Sequence, residues 1–241
     1  MHVIKLDAID STNDYLRKLI LGKNPTAPTV VVSQYQKKGK GQRGQAWISQ
    51  AGKNLMFSLY MPNFSLPTKE VFSINKIVSV CLLHWLSSFQ MPNICVKWPN
   101  DILSGDSKIA GILTESNVHH LTASPFIIGV GLNVNQVEFQ NLPNATSMQL
   151  LTGKSYDIDA LLFSLTTKLI EYLTPPIKNY NDDYHKYLYG LGQSRLFSRE
   201  NKMFEGIIQF VNSEGKLVLE TTAGTQAFDV KELQFVDVVD Q

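Results

Sequence analysis

Apolar residues along this chain follow two rhythms. Residues 3–6, 30–34 and 54–60 are β-branched or alternating, the last with Leu55, Phe57 and Leu59 on one face, and each reads as a strand. Between the first two, Tyr15, Leu16, Leu19 and Ile20 recur at helical spacing. They follow Asp10, Ser11, Thr12, Asn13 and Asp14, which offer several N-cap side chains, and Gly22 is expected to stop the helix. Pro67 introduces a second helix over residues 68–89. Its apolar stretch from residue 71 is interrupted by Asn75, Lys76 and His84, so it reads as a buried amphipathic helix and not as a membrane span. Strands follow at 94–98, 108–115 and 126–135, with a weaker one at 118–124 and a hairpin turn near Asn117. Asp157 caps a helix that runs through Leu173 and is ended by Pro175 and Pro176; residues 182–188 form one more short helix.

After Gly192 only short strands remain, at 194–198, 204–211, 216–221, 226–230 and 234–238, parted by turn signals. Such a run suits a small closed barrel appended to a larger α+β domain. Residues 1–190 and 191–241 are therefore expected to form two domains.

Composition narrows the function classes. The formal net charge of +1 over 241 residues argues against a global electrostatic grip on nucleic acid, while leaving room for a local basic patch. Cys81 and Cys95, the only cysteines, lack CxxC spacing and have apolar neighbours; they read as buried, reduced thiols of a cytoplasmic protein. The first residues do not read as a signal peptide.

Three motifs carry candidate chemistry. Behind the strand at 30–34, Gly39, Gly41 and Gly44 alternate with Lys40 and Arg43, and Trp47 follows. Glycines let backbone N–H groups turn toward an anion, cations add charge, and the indole offers a face for a base; a solvated surface loop has similar composition. In the second motif, Lys97, Trp98, Pro99, Asn100 and Asp101 end a strand. Pro99 breaks the ladder, so Asn100 and Asp101 can project into a cleft, with Asp101 a candidate for Mg²⁺ or a turn cap. Lys97 either faces substrate or snorkels to solvent. Lys108 then opens an apolar strand as a solvated end or a buried cation, with Gly111 permitting close approach. In the third, Gly129 and Gly131 thin a buried strand, which is costly unless something lies against it, and Asn133 offers an amide edge suited to adenine.

Together these motifs resemble the biotin–protein ligase family, also called biotin–[acetyl-CoA-carboxylase] ligase, over nearly the whole chain. The resemblance rests on Ser11 to Asn13, the Gly39–Gly44 loop with Trp47, Lys97 to Asp101, Lys108 to Leu113, and Gly129 to Asn135, in that order. It implies an α+β catalytic domain with a mixed β-sheet and flanking helices, like class II aminoacyl-tRNA synthetases, followed by an SH3-like barrel. It also implies roles. Ser11, Thr12 and Gln34, with Asn13 beside them, would bind the biotin ureido ring. The backbone of Gly39, Lys40 and Gly41, with Gly111 and Gly129, would line the biotin pocket, and Met56 would supply apolar contact. Trp47 would pack near adenine, Asn133 would bond it, and Arg43 would help hold the adenylate. Lys108 would contact the biotin carboxylate and the α-phosphate. Asn100 and Asp101 would sit near the phosphates and Mg²⁺, with Asp101 the candidate base and metal ligand.

The implied reaction joins biotin and ATP into biotinyl-5′-AMP and then transfers biotin to a lysine of a biotin carboxyl carrier domain. Neither DNA nor membrane is an expected partner, because the DNA-binding segment of bifunctional relatives is expected to be missing; a homodimer is open, as relatives can pair edge to edge. Gln42 and Gln45 stand where many relatives carry arginine, and Lys40 keeps charge without the bidentate fork, which bears on retention of the adenylate. The loop over residues 35–47 is expected to close over the adenylate, and the tail to complete the ATP site or an acceptor surface, with Arg195 and Lys202 as contributors. The rival readings are a lipoate–protein ligase, a repressor that senses biotinyl-AMP, and an inactive adaptor.

Overall fold

The computed structural model describes residues 1–23, 25–62, 64–119, 122–140 and 142–236; the side chains of Arg43, Lys69, Thr122, Ala123, Pro125 and residues 117–119 also lie outside the description. The chain opens with β1 (His2–Ile9), α1 (Thr12–Lys23), β2 (Thr29–Gln36), β3 (Leu55–Tyr60) and the short β4 (Leu66–Pro67). Then come α2 (Phe72–Ser87), β5 (Ile94–Lys97), β6 (Asp101–Ser104), β7 (Ser107–His119) and β8 (Thr122–Leu132). Three helices follow, α3 (Met148–Thr152), α4 (Ile158–Leu173) and α5 (Asn181–Lys186). The last segment holds β9 (Ser194–Arg199), β10 (Lys202–Val211), β11 (Leu217–Thr221), β12 (Gly224–Phe228) and β13 (Gln234–Phe235).

Strands β1-β2-β3-β8-β7-β6-β5 form one sheet in that order, with β4 on β8; β1 and β2 run parallel and the other pairs antiparallel. The α+β class and the C-terminal β-sheet domain are thus as expected. Helix α1 covers the sheet at β2, β3 and β8, burying Leu16 and Ile20 against Val31, Tyr60 and Ile127. On the other face α2 and α4 bury Leu55, Phe57 and Leu59, the alternating set read from sequence. At about 1.5–3 kcal/mol for each fully buried large apolar side chain, this face dominates the stability of the fold. The second sheet, β12-β11-β10-β9-β13, shares that core through Phe197, Ile208 and Leu217. Trp98 Nε1, just after β5, donates to the Gly215 carbonyl (2.9 Å) and Lys76 Nζ, on α2, to that of Val211 (3.0 Å), tying the first sheet and α2 to the second sheet.

Several expectations shift. Helix α1 continues through Gly22 to Lys23. The predicted strand at 118–124 is the paired ends of β7 and β8, with a register shift between Ser116 and Val118; residues 120–121, next to the hairpin turn expected near Asn117, lie outside the description. Strand β6 and helix α3 are additions. The strand predicted at 226–230 is β12, two residues earlier. Rungs of the second sheet end at β12 and β13 without a closing pair among the described residues. Cys81 is buried but Cys95 only half-buried.

Candidate active site

Register places the chemistry. Lys97 pairs with Asp101, Asp101 with Gly111, Gly111 with Gly131 and Gly131 with Met56, so these residues form one row across five strands. Ser58 and Leu113 flank Gly129 in the next row on the same face. Directly opposed residues in an antiparallel sheet share a face, so the glycines open a trough there. A Cβ on Gly131 would lie 2.5 Å from the Trp47 indole, and one on Gly111 would lie 3.2 Å from it. A Cβ on Gly129 would lie 2.5 Å from Asn13 Oδ1. The close approach inferred from these glycines is made by the protein's own side chains.

Above the trough lies a cavity of about 490 Å³. Ser11, Thr12, Asn13 and Gln36 form its polar end. Gly129, Gly111, Lys108, Asp101 and Asn100 line its floor, and Lys40, Gly41 and Trp47 its lid. Leu233, Gln234 and Phe235 bring the second sheet in as a further wall. A second cavity of about 300 Å³, flanked by Leu103, Phe139, Leu142, Pro143 and Asn133, shares Trp47, Lys97, Asp101 and Lys108 with the first. Trp47 and Lys108 therefore stand at the junction of a polar pocket and an apolar slot. Lys108 Nζ bonds Asp101 Oδ1 at 2.6 Å and lies 5.6 Å from the Trp47 ring centroid. Its backbone is strapped at both ends, from its N–H to the Asn144 carbonyl (2.7 Å) and to its own carbonyl from Thr146 N–H (2.9 Å).

Gln34 is a correction. It is exposed and lines neither cavity, whereas Gln36 lines the first: Gln36 Oε1 accepts from the Thr12 N–H (2.8 Å) and hydroxyl (3.2 Å). The cause is register, since Gln36 pairs with Ile9, just before α1, while Gln34 is still short of that helix end. Asn13 is spent inside the protein: it accepts from Ser58 Oγ and donates to Glu115 Oε2 (2.7 Å). Ser11 Oγ accepts from the Asp14 N–H (3.4 Å), which leaves its hydroxyl proton to offer. Met56 is fully buried away from the cavity, its sulfur taking the Ser49 hydroxyl.

Part of the glycine loop's donor set is spent within the loop. Gly41 N–H donates to the Gln45 carbonyl (2.7 Å) and Trp47 N–H to that of Gly39 (2.9 Å), closing a small hairpin that takes up these two donors. Gly39 fills that closure and does not line the cavity. Lys40 Nζ pairs with Asp14 (2.7 Å), Arg17 pairs with Asp14 (3.0 Å) and Glu115 (2.7 Å), and the chain of charges runs on to Asn13. Burial pushes the Asp14 carboxyl up, but Lys40 and Arg17 outweigh it and hold it below its usual value. The Arg43 side chain lies outside the description. Asn100 donates to the Ile112 carbonyl (2.6 Å), so its amide braces β7. Asn133 lines the second cavity, its Nδ2 donating to the Thr146 carbonyl (2.9 Å).

A mixed sheet whose glycine-lined trough links a polar pocket to an apolar slot, with Lys97 and Lys108 lining both, can hold two joined ligand halves with an anion between them. The biotin/lipoate A/B protein ligase family profile matches residues 6–133, and the chain belongs to that family. It is 28% identical to the bifunctional ligase/repressor BirA of Bacillus spizizenii over 92% of this chain and 70% of that protein. It is 26% identical to a biotin–[acetyl-CoA-carboxylase] ligase of Paracoccus denitrificans over 94% of this chain and 97% of that one. Its fold matches the biotin protein ligase of Aquifex aeolicus, solved in complex with biotin and ATP, with a TM-score of 0.76 at 24% identity over 98% of both chains.

Proposed function

We propose that this cleft activates biotin with ATP to biotinyl-5′-AMP and then passes biotin to a specific lysine of a biotin carboxyl carrier domain. The observation that carries the reading is Lys108, whose ammonium stands where the two cavities meet. Thr12 and Gln36 offer neutral donors and acceptors at the far end of the first cavity, matched to a neutral urea. A lipoyl tail has no urea to meet them, which favours biotin over lipoate. The second cavity takes the adenine, with Trp47 as its wall and Asn133 at its edge.

The carboxylate of biotin is a weak nucleophile approaching another anion. Negative charge builds at the α-phosphorus as the bond forms, and an ammonium already held in place needs little reorganisation to meet it. Asp101 holds Lys108 in the trough until substrate oxygens replace it. Magnesium fits here as a companion of ATP: hard cations in such sites take one or two carboxylates plus phosphate oxygens, and Asp101 keeps one oxygen beyond its bond to Lys108. Bound there, it would neutralise triphosphate charge. In the second half-reaction the acceptor amine must lose a proton, and Asp101 is the carboxylate at hand. The loop over residues 35–47 covers the anhydride from water. Residues 191–241 act as an SH3-like domain that completes the cleft, and the protein works in the cytoplasm. No helix among the described residues is long and apolar enough to cross a membrane.

The test is product analysis. Incubation with biotin, ATP and Mg²⁺ should yield biotinyl-5′-AMP by mass spectrometry, and addition of a carrier domain should move the biotin to one lysine. Formation of lipoyl-AMP in preference would shift the reading to a lipoate ligase; neither product would end it.

A further inference from the structure

A carboxylate that lines neither cavity reaches the polar end of the first through Asn13, Ser58 and Thr12. Glu115 is held between two partners: its Oε1 takes Arg17 Nη2 (2.7 Å) and its Oε2 takes Asn13 Nδ2 (2.7 Å). An ionised carboxylate only accepts, so it turns the amide nitrogen of Asn13 toward itself, with the Leu113 carbonyl on the same side (3.4 Å). Asn13 Oδ1 is thereby turned to Ser58, in space that Gly129 leaves open, since a Cβ there would lie 2.5 Å from that oxygen. Ser58 is fully buried and has a single proton, which Asn13 Oδ1 takes. The Thr12 hydroxyl lies 2.7 Å from Ser58 Oγ and 3.2 Å from Gln36 Oε1, so its own proton goes to one of these two oxygens. Thr12 lines the first cavity, and what its hydroxyl has left to offer there is a lone pair.

We infer that Glu115 is a positioning residue that sets the direction of this relay, and so makes Thr12 an acceptor for an N–H of the substrate ring. This rests on the reading of the polar end as a urea pocket. A urea carries N–H beside C=O; the Ser11 hydroxyl has a proton for the carbonyl, and Thr12 takes the N–H. Preference for a ring N–H over a ring oxygen is then decided by a residue that does not touch the ligand. Glu115→Gln reverses the relay. The oxygen of the new amide stays with Arg17, its nitrogen faces Asn13, and Asn13 turns its own oxygen to meet it. Ser58 then accepts from the Asn13 amide and gives its proton to Thr12, whose own proton is free to turn to the ligand.

Calorimetric binding without ATP tests the direction. The probes are biotin and the two cyclic carbamates in which oxygen replaces one ureido N–H or the other. Wild type should bind one of the carbamates about 10- to 100-fold more weakly than biotin, the cost of setting two acceptors face to face. In Glu115→Gln, and in Ser58→Ala, which releases the Thr12 proton from Ser58, that ratio should fall to about fivefold or less. A merely structural role would weaken biotin and carbamate alike and leave the ratio where it was. An unchanged ratio in either folded variant, or wild type that binds both carbamates as tightly as biotin, would overturn the inference. Biotin bound with this selectivity but never adenylated would instead reject the proposed reaction and leave the relay standing.

Discussion

At the scale of single residues, the site turns on side chains that differ by one strand pleat. Gln34 and Gln36 have the same chemistry and neighbouring positions, and only the pairing of Gln36 with Ile9 brings one of them to Thr12. Sequence alone holds the motif but not the register, which is why Gln34 was legible as a candidate and Gln36, the one that lines the cavity, was not. Lys108, Asp101, Trp47 and the polar pair Ser11 and Thr12 were readable because each interrupts an apolar run or a turn with a group that needs a partner. Replacing Gln36 by Ala should raise the KM for biotin about 5- to 10-fold, the loss of one or two neutral hydrogen bonds, with the KM for ATP unchanged. Gln34→Ala should be silent in both. Steady-state kinetics with each substrate varied checks the pair, and an effect at Gln34 equal to that at Gln36 would refute the assignment.

At the scale of elements, long periodic segments were legible and short ones were not. Helix α4, from its Asp157 cap to the prolines, follows the sequence because the cap, the apolar spacing and the stop agree. Strand β6 escaped notice because it has four residues and follows β5 after a turn of three. Its pairing with β7 sets Asp101 opposite Gly111, so an unrecognised strand carries a predicted site residue. The glycine loop was recognised as a motif, but two of its donors, Gly41 N–H and Trp47 N–H, are spent within it, which composition does not reveal. The lid is thus a hairpin that presses Trp47 on Gly131. Gly131→Ala leaves no room for that contact and should expel the indole. Trp85 and Trp98 are each 3% exposed, so a red-shifted emission that vanishes in a Trp47→Phe background would report the expulsion. Unchanged emission in Gly131→Ala would contradict the packing described.

At the scale of the whole molecule, the tail was legible as a run of strands, whereas its entry into the cleft through Phe235 was not, because that contact joins residues far apart in sequence. Lys76 is a second such contact: it is buried, bonds Asn181 Oδ1 (2.7 Å) and the Val211 carbonyl, and burial pushes its pKa down to about 8. The unfolded chain keeps that proton up to about pH 10.5, so between the two values it binds more protons than the folded state, and stability rises with pH. Burial pushes the thiols of Cys81 and Cys95 up to about 12 and about 11, so the stability they confer is lost as pH climbs above 9. The Lys76 effect is therefore cleanest from pH 8 to 9, with a slope of at most about 1.4 kcal/mol per pH unit. Denaturant unfolding of wild type and Lys76→Met across that range should show the rise in the first and not in the second; parallel curves would argue against it. Central to the whole is the claim that Lys108 activates biotin at the junction of the two cavities. Biotin-dependent ATP–pyrophosphate exchange measures that step alone. Wild type should exchange with biotin and not with lipoate, and Lys108→Ala should lose about 10²-fold or more at an unchanged thermal midpoint. Absence of biotin-dependent exchange in the wild type, or normal exchange by Lys108→Ala, would contradict the account.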